Sequence, residues 1–291
     1  MPAIEVKSLQ KYFGKTKAVD DISFTIEKGE VFGFLGPNGA GKTTTIRCLM
    51  DFIRPTAGSA SILGLDAQKD AVRLKHKIGY LSGSVRLYHK WTGEDHIKLI
   101  RNLNGGADNS DELTERFEFN PKIKVKQLSS GNRQKLGLIM AFMTKPEVLI
   151  LDEPTLGLDP LLQNTVYELL EEYSQRGTTV FMSSHNLSEV DRVCSRVGII
   201  RHGKMVAMES IRALKEKKMH TVRLHFTQSF NETDFKLENV TVAERLTDGL
   251  VLNVRGDINP LLKKIAAYHL RDINITEASL EDIFMEYYEQ P

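Results

Sequence analysis

The run Gly36-Pro37-Asn38-Gly39-Ala40-Gly41-Lys42-Thr43 satisfies the pattern G-x-x-x-x-G-K-[ST] at every position, and it restricts the fold more than any other stretch of this chain. Glycine backbones turn successive amides inward and let the chain come close to phosphate. Lys42 supplies a point charge for β- and γ-phosphates, and the Thr43 hydroxyl is sized to ligate magnesium. Residues 36–44, ending on Thr44, are therefore the expected phosphate contacts. Such a loop works between a buried strand and a helix whose positive end faces the anion. Both neighbours are legible. Val31-Phe32-Gly33-Phe34-Leu35 is continuously apolar, as a parallel strand buried on both faces is. Ile46, Leu49, Met50 and Ile53 then recur at helical spacing, with Arg54-Pro55 as the expected stop.

The surrounding chain alternates strands and helices. Ile22, Phe24 and Ile26 alternate with polar residues, and residues 148–151 and 178–182 read as buried strands around a helix over 161–173. That order predicts right-handed crossovers and a mostly parallel sheet, so the fold class is α/β. Residues 95–127 read as a helical insertion containing the loop Asn104-Gly105-Gly106. Asp152-Glu153 follows the run 148–151, and acids at the carboxyl end of a parallel strand lie beside the phosphate loop in such a fold. Asp152 is expected to hold magnesium through water, and Glu153 to orient and deprotonate an attacking water.

At 291 residues the chain is long enough for two domains. The run Lys215-Glu216-Lys217-Lys218 reads as their boundary, giving 1–218 and a small α+β domain over 219–291. In the latter, 221–227 and 250–254 read as strands, Asp248-Gly249 as a turn and Asn259-Pro260 as a helix start. Leu280, Ile283, Phe284 and Tyr287 predict a final amphipathic helix. The formal net charge of +1 conceals an asymmetry, because 219–291 carries 7 basic and 12 acidic residues, which leaves the first part at +6. Near-neutrality gives no field to hold a nucleic-acid backbone, so no nucleic-acid partner is expected, while a local anionic ligand belongs to the first part. The two cysteines, Cys48 and Cys194, exclude a disulfide framework, and Cys48 is expected to be packed and inert. The start, Met1-Pro2-Ala3-Ile4-Glu5, lacks the apolar core of a signal peptide, and no run approaches a membrane span.

With these motifs in this order, residues 4–210 resemble the nucleotide-binding subunit of an ABC transporter. Leu128-Ser129-Ser130-Gly131-Asn132-Arg133-Gln134 is similar to the family's signature sequence. Asp152-Glu153-Pro154-Thr155-Leu156-Gly157-Leu158-Asp159-Pro160 is similar to its combined magnesium, catalytic and interface stretch. The resemblance implies a P-loop ATPase domain with an antiparallel β subdomain and a helical subdomain over about 84–145. It implies ATP and Mg2+ as cofactors, with Lys42, Glu153 and His185 catalytic and Thr43 and Asp152 on the metal. It also implies that Tyr12 stacks on adenine, and that Ser129 and Gly131 contact the γ-phosphate held by a second subunit, with Asp159 at the interface. Partners would be a transmembrane permease and a second copy or homologous ATPase, on the cytoplasmic face of the membrane. Residues 277–284 and Gly131-Asn132-Arg133-Gln134-Lys135 resemble bacterial drug, antibiotic and lipid-linked exporters. An importer ATPase, or a non-transport relative acting on ribosomes or DNA, is the alternative.

Three positions depart from the family pattern. Ser130 stands where glycine is usual, and Asn132 where glutamine is usual. Gly83, in Ile78-Gly79-Tyr80-Leu81-Ser82-Gly83, replaces a glutamine that ligates magnesium in the family, so that ligand is missing, replaced by water or supplied by Ser84. Leu87, Tyr88 and Trp91 are apolar for a loop, which suits either a docking surface for a partner helix or a small satellite cluster.

Overall fold

A computed structural model describes residues 1–105, 108–216 and 219–277. The expected terminal helix with Leu280, Ile283, Phe284 and Tyr287 lies outside them, as do Gly106 and the exporter-like run from Ala278 onward. The chain divides into two units, Met1–Glu209 and Ser210–Pro291. The division falls ahead of the charged run at 215–218, because Lys215 and Glu216 end a helix.

In the first unit, β1 (Ile4–Phe13) and β2 (Thr16–Ile26) form an antiparallel hairpin that leads into β3 (Val31–Leu35), buried throughout. Helix α1 (Lys42–Leu49) follows the phosphate loop. It stops short of Pro55, because Asp51 takes a left-handed φ of 52° and breaks the helical run. β4 (Ala57–Ile62) and β5 (Leu65–Asp66) complete an antiparallel sheet of order β2-β1-β4-β5. After α2 (Ala71–Lys75) and β6 (Ile78–Leu81) come three helices: α3 (Gly93–Leu103), α4 (Ser110–Arg116) and α5 (Ser130–Phe142). The first starts two residues before the expected point, since Thr92 and Asp95 cap each other's backbone amides in a capping box.

The remaining elements of this unit are β7 (Val148–Asp152), α6 (Pro160–Gln175), β8 (Thr179–Ser184), α7 (Leu187–Val193), β9 (Arg196–Arg201) and β10 (Lys204–Ser210). They build a six-stranded sheet of order β10-β9-β3-β8-β7-β6, in which β9, β3, β8, β7 and β6 pair in parallel. The two sheets meet through aromatic rings. Phe24 of β2 stacks on Phe32 and Phe181 with centroids 5.7 and 5.9 Å apart. Burying each such ring contributes about 1.5–3 kcal/mol. Register then places the site: Leu35 pairs with Ser184 and Asp152 with Ser183, so β3, β7 and β8 deliver their following loops to one edge.

The second unit holds α8 (Ile211–Glu216), β11 (Met219–Phe226), β12 (Val240–Arg245), β13 (Gly249–Arg255), α9 (Asn259–Ile265) and β14 (Leu270–Glu277). Its antiparallel sheet has the order β12-β13-β11-β14. Val222, Leu224, Leu250, Leu252 and Val254 pack with Leu261 and Ile265 of α9 as a separate core. Pro260 lies in the first turn of α9, where a missing amide proton costs nothing.

Candidate functional site

The loop between β3 and α1 lines a cavity of about 640 Å³. Pro37, Asn38, Gly39, Gly41, Lys42, Thr43 and Thr44 all contribute to its wall. Gly41 caps α1 at φ 115°, and a Cβ there would lie 2.5 Å from the Ala18 carbonyl oxygen. Only glycine satisfies both the angle and the space. Gly36 and Ala40 support the loop from behind. The Ala40 amide donates to the Pro37 carbonyl at 3.1 Å, and the Ala40 carbonyl accepts from Gly203 at 2.9 Å. Lys42 is only 5% exposed, and its Nζ donates to the Gly36 carbonyl at 2.5 Å and lies 3.2 Å from Glu153 Oε1.

Two carboxylates at the end of β7 occupy different environments. Asp152 is buried and accepts from Thr43 Oγ1 at 2.8 Å and from Ser183 Oγ at 2.6 Å. A hard carboxylate beside a hydroxyl is the oxygen donor set that magnesium favours, so these residues fit that ion. Glu153 faces the cavity, with Oε1 near Lys42 and Oε2 2.7 Å from His185 Nδ1. Its backbone sits at φ 54°, a strained angle for a non-glycine residue and one often found at functional sites. Neighbouring elements hold that strain. The Glu153 amide donates to Ser183 Oγ at 3.1 Å, and Gln134 Nε2 of α5 donates to the Glu153 and Pro154 carbonyls at 3.2 and 2.9 Å.

Other expected contacts lie away from the cavity wall. Tyr12 donates its hydroxyl to Asp20 Oδ1 at 2.6 Å, and Lys17 Nζ stands 5.4 Å from its ring centre. The Asp20 hydrogen bond pushes the Tyr12 phenol upward in pKa and holds the Asp20 carboxyl below its usual range. Ser129 is exposed at the N-terminus of α5, where its Oγ accepts from the Asn132 amide at 3.2 Å, and Gly131 lies in that helix's first turn. Asp159 is exposed too and caps α6 by accepting from the Leu161 and Leu162 amides at 3.1 and 3.0 Å. None of these four residues lines the cavity that holds Lys42.

Several lining residues carry no motif and were not legible in the sequence: Arg47, Phe52, Tyr80 and Arg86. Burial pushes the Tyr80 phenol up to about 12, so it stays protonated at neutral pH. Arg47 stands four residues after Thr43 on α1, one signal that helical spacing offers. Gly83 reaches the cavity with its backbone. A Cβ added there would lie 3.0 Å from Asp152 Oδ2, and the hydroxyl-bearing Ser82 and Ser84 line the wall on either side of it. Beyond it, the rings of Tyr88 and Trp91 lie tilted against each other with centroids 4.7 Å apart, Tyr88 stacking on His96 and Trp91 meeting it edge-on. The His96 Nδ1 faces the Thr92 carbonyl and its Nε2 accepts from the Tyr88 amide, so His96 is buried as the neutral Nδ1–H tautomer. The cluster packs on its own helix start yet leaves Tyr88 63% exposed. Cys48 and Cys194 are both free and buried, and burial pushes the Cys48 thiol up to about 11, far from reactivity.

Residues 19–156 match the ABC transporter family. Over 97% of its length the chain is 32% identical to an uncharacterized ABC transporter ATP-binding protein of Bacillus subtilis (strain 168), covering 95% of that protein. It is 31% identical to the daunorubicin/doxorubicin resistance ATP-binding protein of Streptomyces peucetius, over 97% of this chain and 91% of that one. Identity to the bacitracin transport ATP-binding protein of Bacillus licheniformis is 32%, over 97% and 96%. Among solved structures, an ATP-binding subunit of an ABC transporter superposes with a TM-score of 0.68 at 28% identity, over 73% of this chain and 92% of that one. A dimeric ATP-binding cassette bound to ADP and Pi shares the fold, with a TM-score of 0.66 at 22% identity over 72% of this chain and 99% of that one. The loop at 36–43, the acids at the end of β7 and these relatives converge: the chain belongs to the ABC transporter family as an ATP-binding, ATP-hydrolysing subunit.

Proposed function

We propose that this ATPase powers a membrane exporter, working as a head-to-tail pair on the cytoplasmic face of the membrane. The observation that carries the reading is the chain of contacts Lys42–Glu153–His185, which opens on a cavity that Ser129 of the same chain does not reach. Lys42, the loop amides and the amino end of α1 bind the phosphates. Thr43 and Asp152 would hold magnesium, which would supply positive charge to the phosphates when bound. Glu153 accepts a proton from the attacking water, and His185, on its other oxygen, fixes the orientation of the carboxylate. Tyr12 receives the adenine on the ring face opposite Lys17.

The exposed signature segment completes the site of a second copy or homologous subunit. Ser129 and Gly131 contact that partner's γ-phosphate, and Asp159 lies at the interface. Export as the direction is supported by relatives named for resistance to daunorubicin and for bacitracin transport. A permease helix docks on the exposed face of the Tyr88–Trp91 cluster, which follows the cavity-lining loop at 82–86 and so senses nucleotide. Replacing Glu153 by Gln tests the core of this reading through phosphate release, ATP binding and size-exclusion chromatography. Lost turnover with retained binding and an ATP-dependent dimer is expected; unimpaired hydrolysis removes Glu153 from the role of base.

A further inference from the structure

We infer that Glu189 is a positioning residue for hydrolysis, a buried carboxylate that ties the loop bearing Glu153 to the strand end bearing His185. The inference rests on the reading of Glu153 and His185 as the reacting pair. Glu189 lies on α7, four residues after His185, and is only 5% exposed. No lysine or arginine pairs with it among the described residues. Three hydroxyls surround it instead. Ser184 Oγ donates to Oε2 at 2.6 Å, while Thr155 Oγ1 and Tyr167 OH, the latter at 3.5 Å, donate to Oε1.

The positions of these donors give the cluster its meaning. Thr155 is two residues after Glu153, and Ser184 immediately precedes His185. Tyr167 belongs to α6, the helix capped by Asp159. One carboxylate thus grips both arms of the 2.7 Å Glu153–His185 contact and the helix behind the expected subunit interface. Burying a carboxylate without a cation is costly, and it is tolerated when every oxygen accepts a hydrogen bond. Burial also raises the pKa of Glu189, and the charges of Glu153 and His185 act on it, so it shares their electrostatic environment. Both of its oxygens must accept. Ser184 Oγ accepts from the Asn186 amide at 2.8 Å, and its single proton has the closer acceptor in Glu189 Oε2 at 2.6 Å, against 3.1 Å to the Asn186 carbonyl. A glutamine would offer one acceptor and one donor, so on one side a hydroxyl that now donates must rotate to accept, and the bonds that hold that arm change.

The test uses the full chain with Glu189→Gln, Thr155→Val and Thr155→Ser. Steady-state ATPase rates, nucleotide affinity and the pH titration of the His185 imidazole by NMR are compared with the parent protein. Glu189→Gln is expected to lower kcat about tenfold or more, the scale on which misplaced catalytic groups act, with nucleotide affinity within about twofold. The titration midpoint of His185 is expected to move with it. Thr155→Val should change both in the same direction, and Thr155→Ser, which restores the hydroxyl, should recover them. Should Glu189→Gln fail to fold, the Thr155 pair carries the same comparison. Parent-like kcat in the folded variants, or a loss of kcat with an unmoved His185 titration, overturns the inference. An active Glu153→Gln variant marks failure of the underlying catalytic reading; an inactive one beside fully active Glu189→Gln and Thr155→Val marks failure of this inference alone.

Discussion

The phosphate-loop region and the signature segment occupy the same unit, yet they are built in opposite ways. Around Lys42, Asp152 and Glu153 every polar group is buried or partnered: carbonyls and a carboxylate on the ammonium, two hydroxyls on Asp152, an imidazole on Glu153. Ser129 is exposed and, among the described residues, bonds only within its own helix start, and the Gly131 position is open enough that a Cβ would meet just the Gly157 carbonyl at 3.1 Å. The first region is preorganised inside one chain. The second presents a helix amino terminus outward, where an anion brought by another molecule can meet it.

The sharpest way to break this contrast is at the preorganised side. Glu153→Gln should lower kcat by roughly 10²–10⁴-fold, the range for loss of a general base, while leaving nucleotide affinity nearly intact in a filter-binding or fluorescence titration. On the outward side, Ser129→Arg added to Glu153→Gln should weaken the ATP-dependent dimer tenfold or more, about 1.4 kcal/mol, by analytical ultracentrifugation. ATP binding by the monomer should persist; an undiminished dimer would show that the signature segment completes nothing. Gly83→Gln probes the seam beside Asp152. The 3.0 Å approach to Oδ2 predicts crowding of about 1 kcal/mol and a several-fold lower kcat. A faster enzyme would mean instead that the cavity lacks that side chain. Tyr88→Ala should have the smallest effect on the isolated chain, with ATPase activity within about twofold, since an exposed ring supports little of the fold. Its loss should appear in co-fractionation with membrane partners.

How much of this was legible depended on distance along the chain. The loop at 36–43 and the pair Asp152-Glu153 are each contiguous, so their chemistry is written in neighbouring letters, and both ended at one cavity. The apolar runs before them, of five and four residues, became fully buried strands for the same reason. The stop of α1 was misplaced because a proline is a visible breaker, whereas a left-handed aspartate at position 51 is not. Ser183 and Glu189 carried no pattern, and Gln134 and Tyr80 stood inside recognised runs without their part in this site being visible. They reach the site through parallel register and helix packing, which join residues 19 to 73 positions away from Asp152 or Glu153, or through one turn of α7.

A strand, a glycine-rich loop and a helix suited to phosphate are written in the letters of residues 31–53, because glycine, lysine and threonine at that spacing have few other uses. The chain's apolar residues also supply, among the described residues, a separate packed core in each unit. Tertiary structure alone decided which acids are paired and which face open space. The register Asp152↔Ser183 puts a hydroxyl on one carboxylate, and the turn after β8 puts His185 on the other. Hydrogen bonds act over about 3 Å, and only the folded sheet brings residues 32 positions apart within that reach.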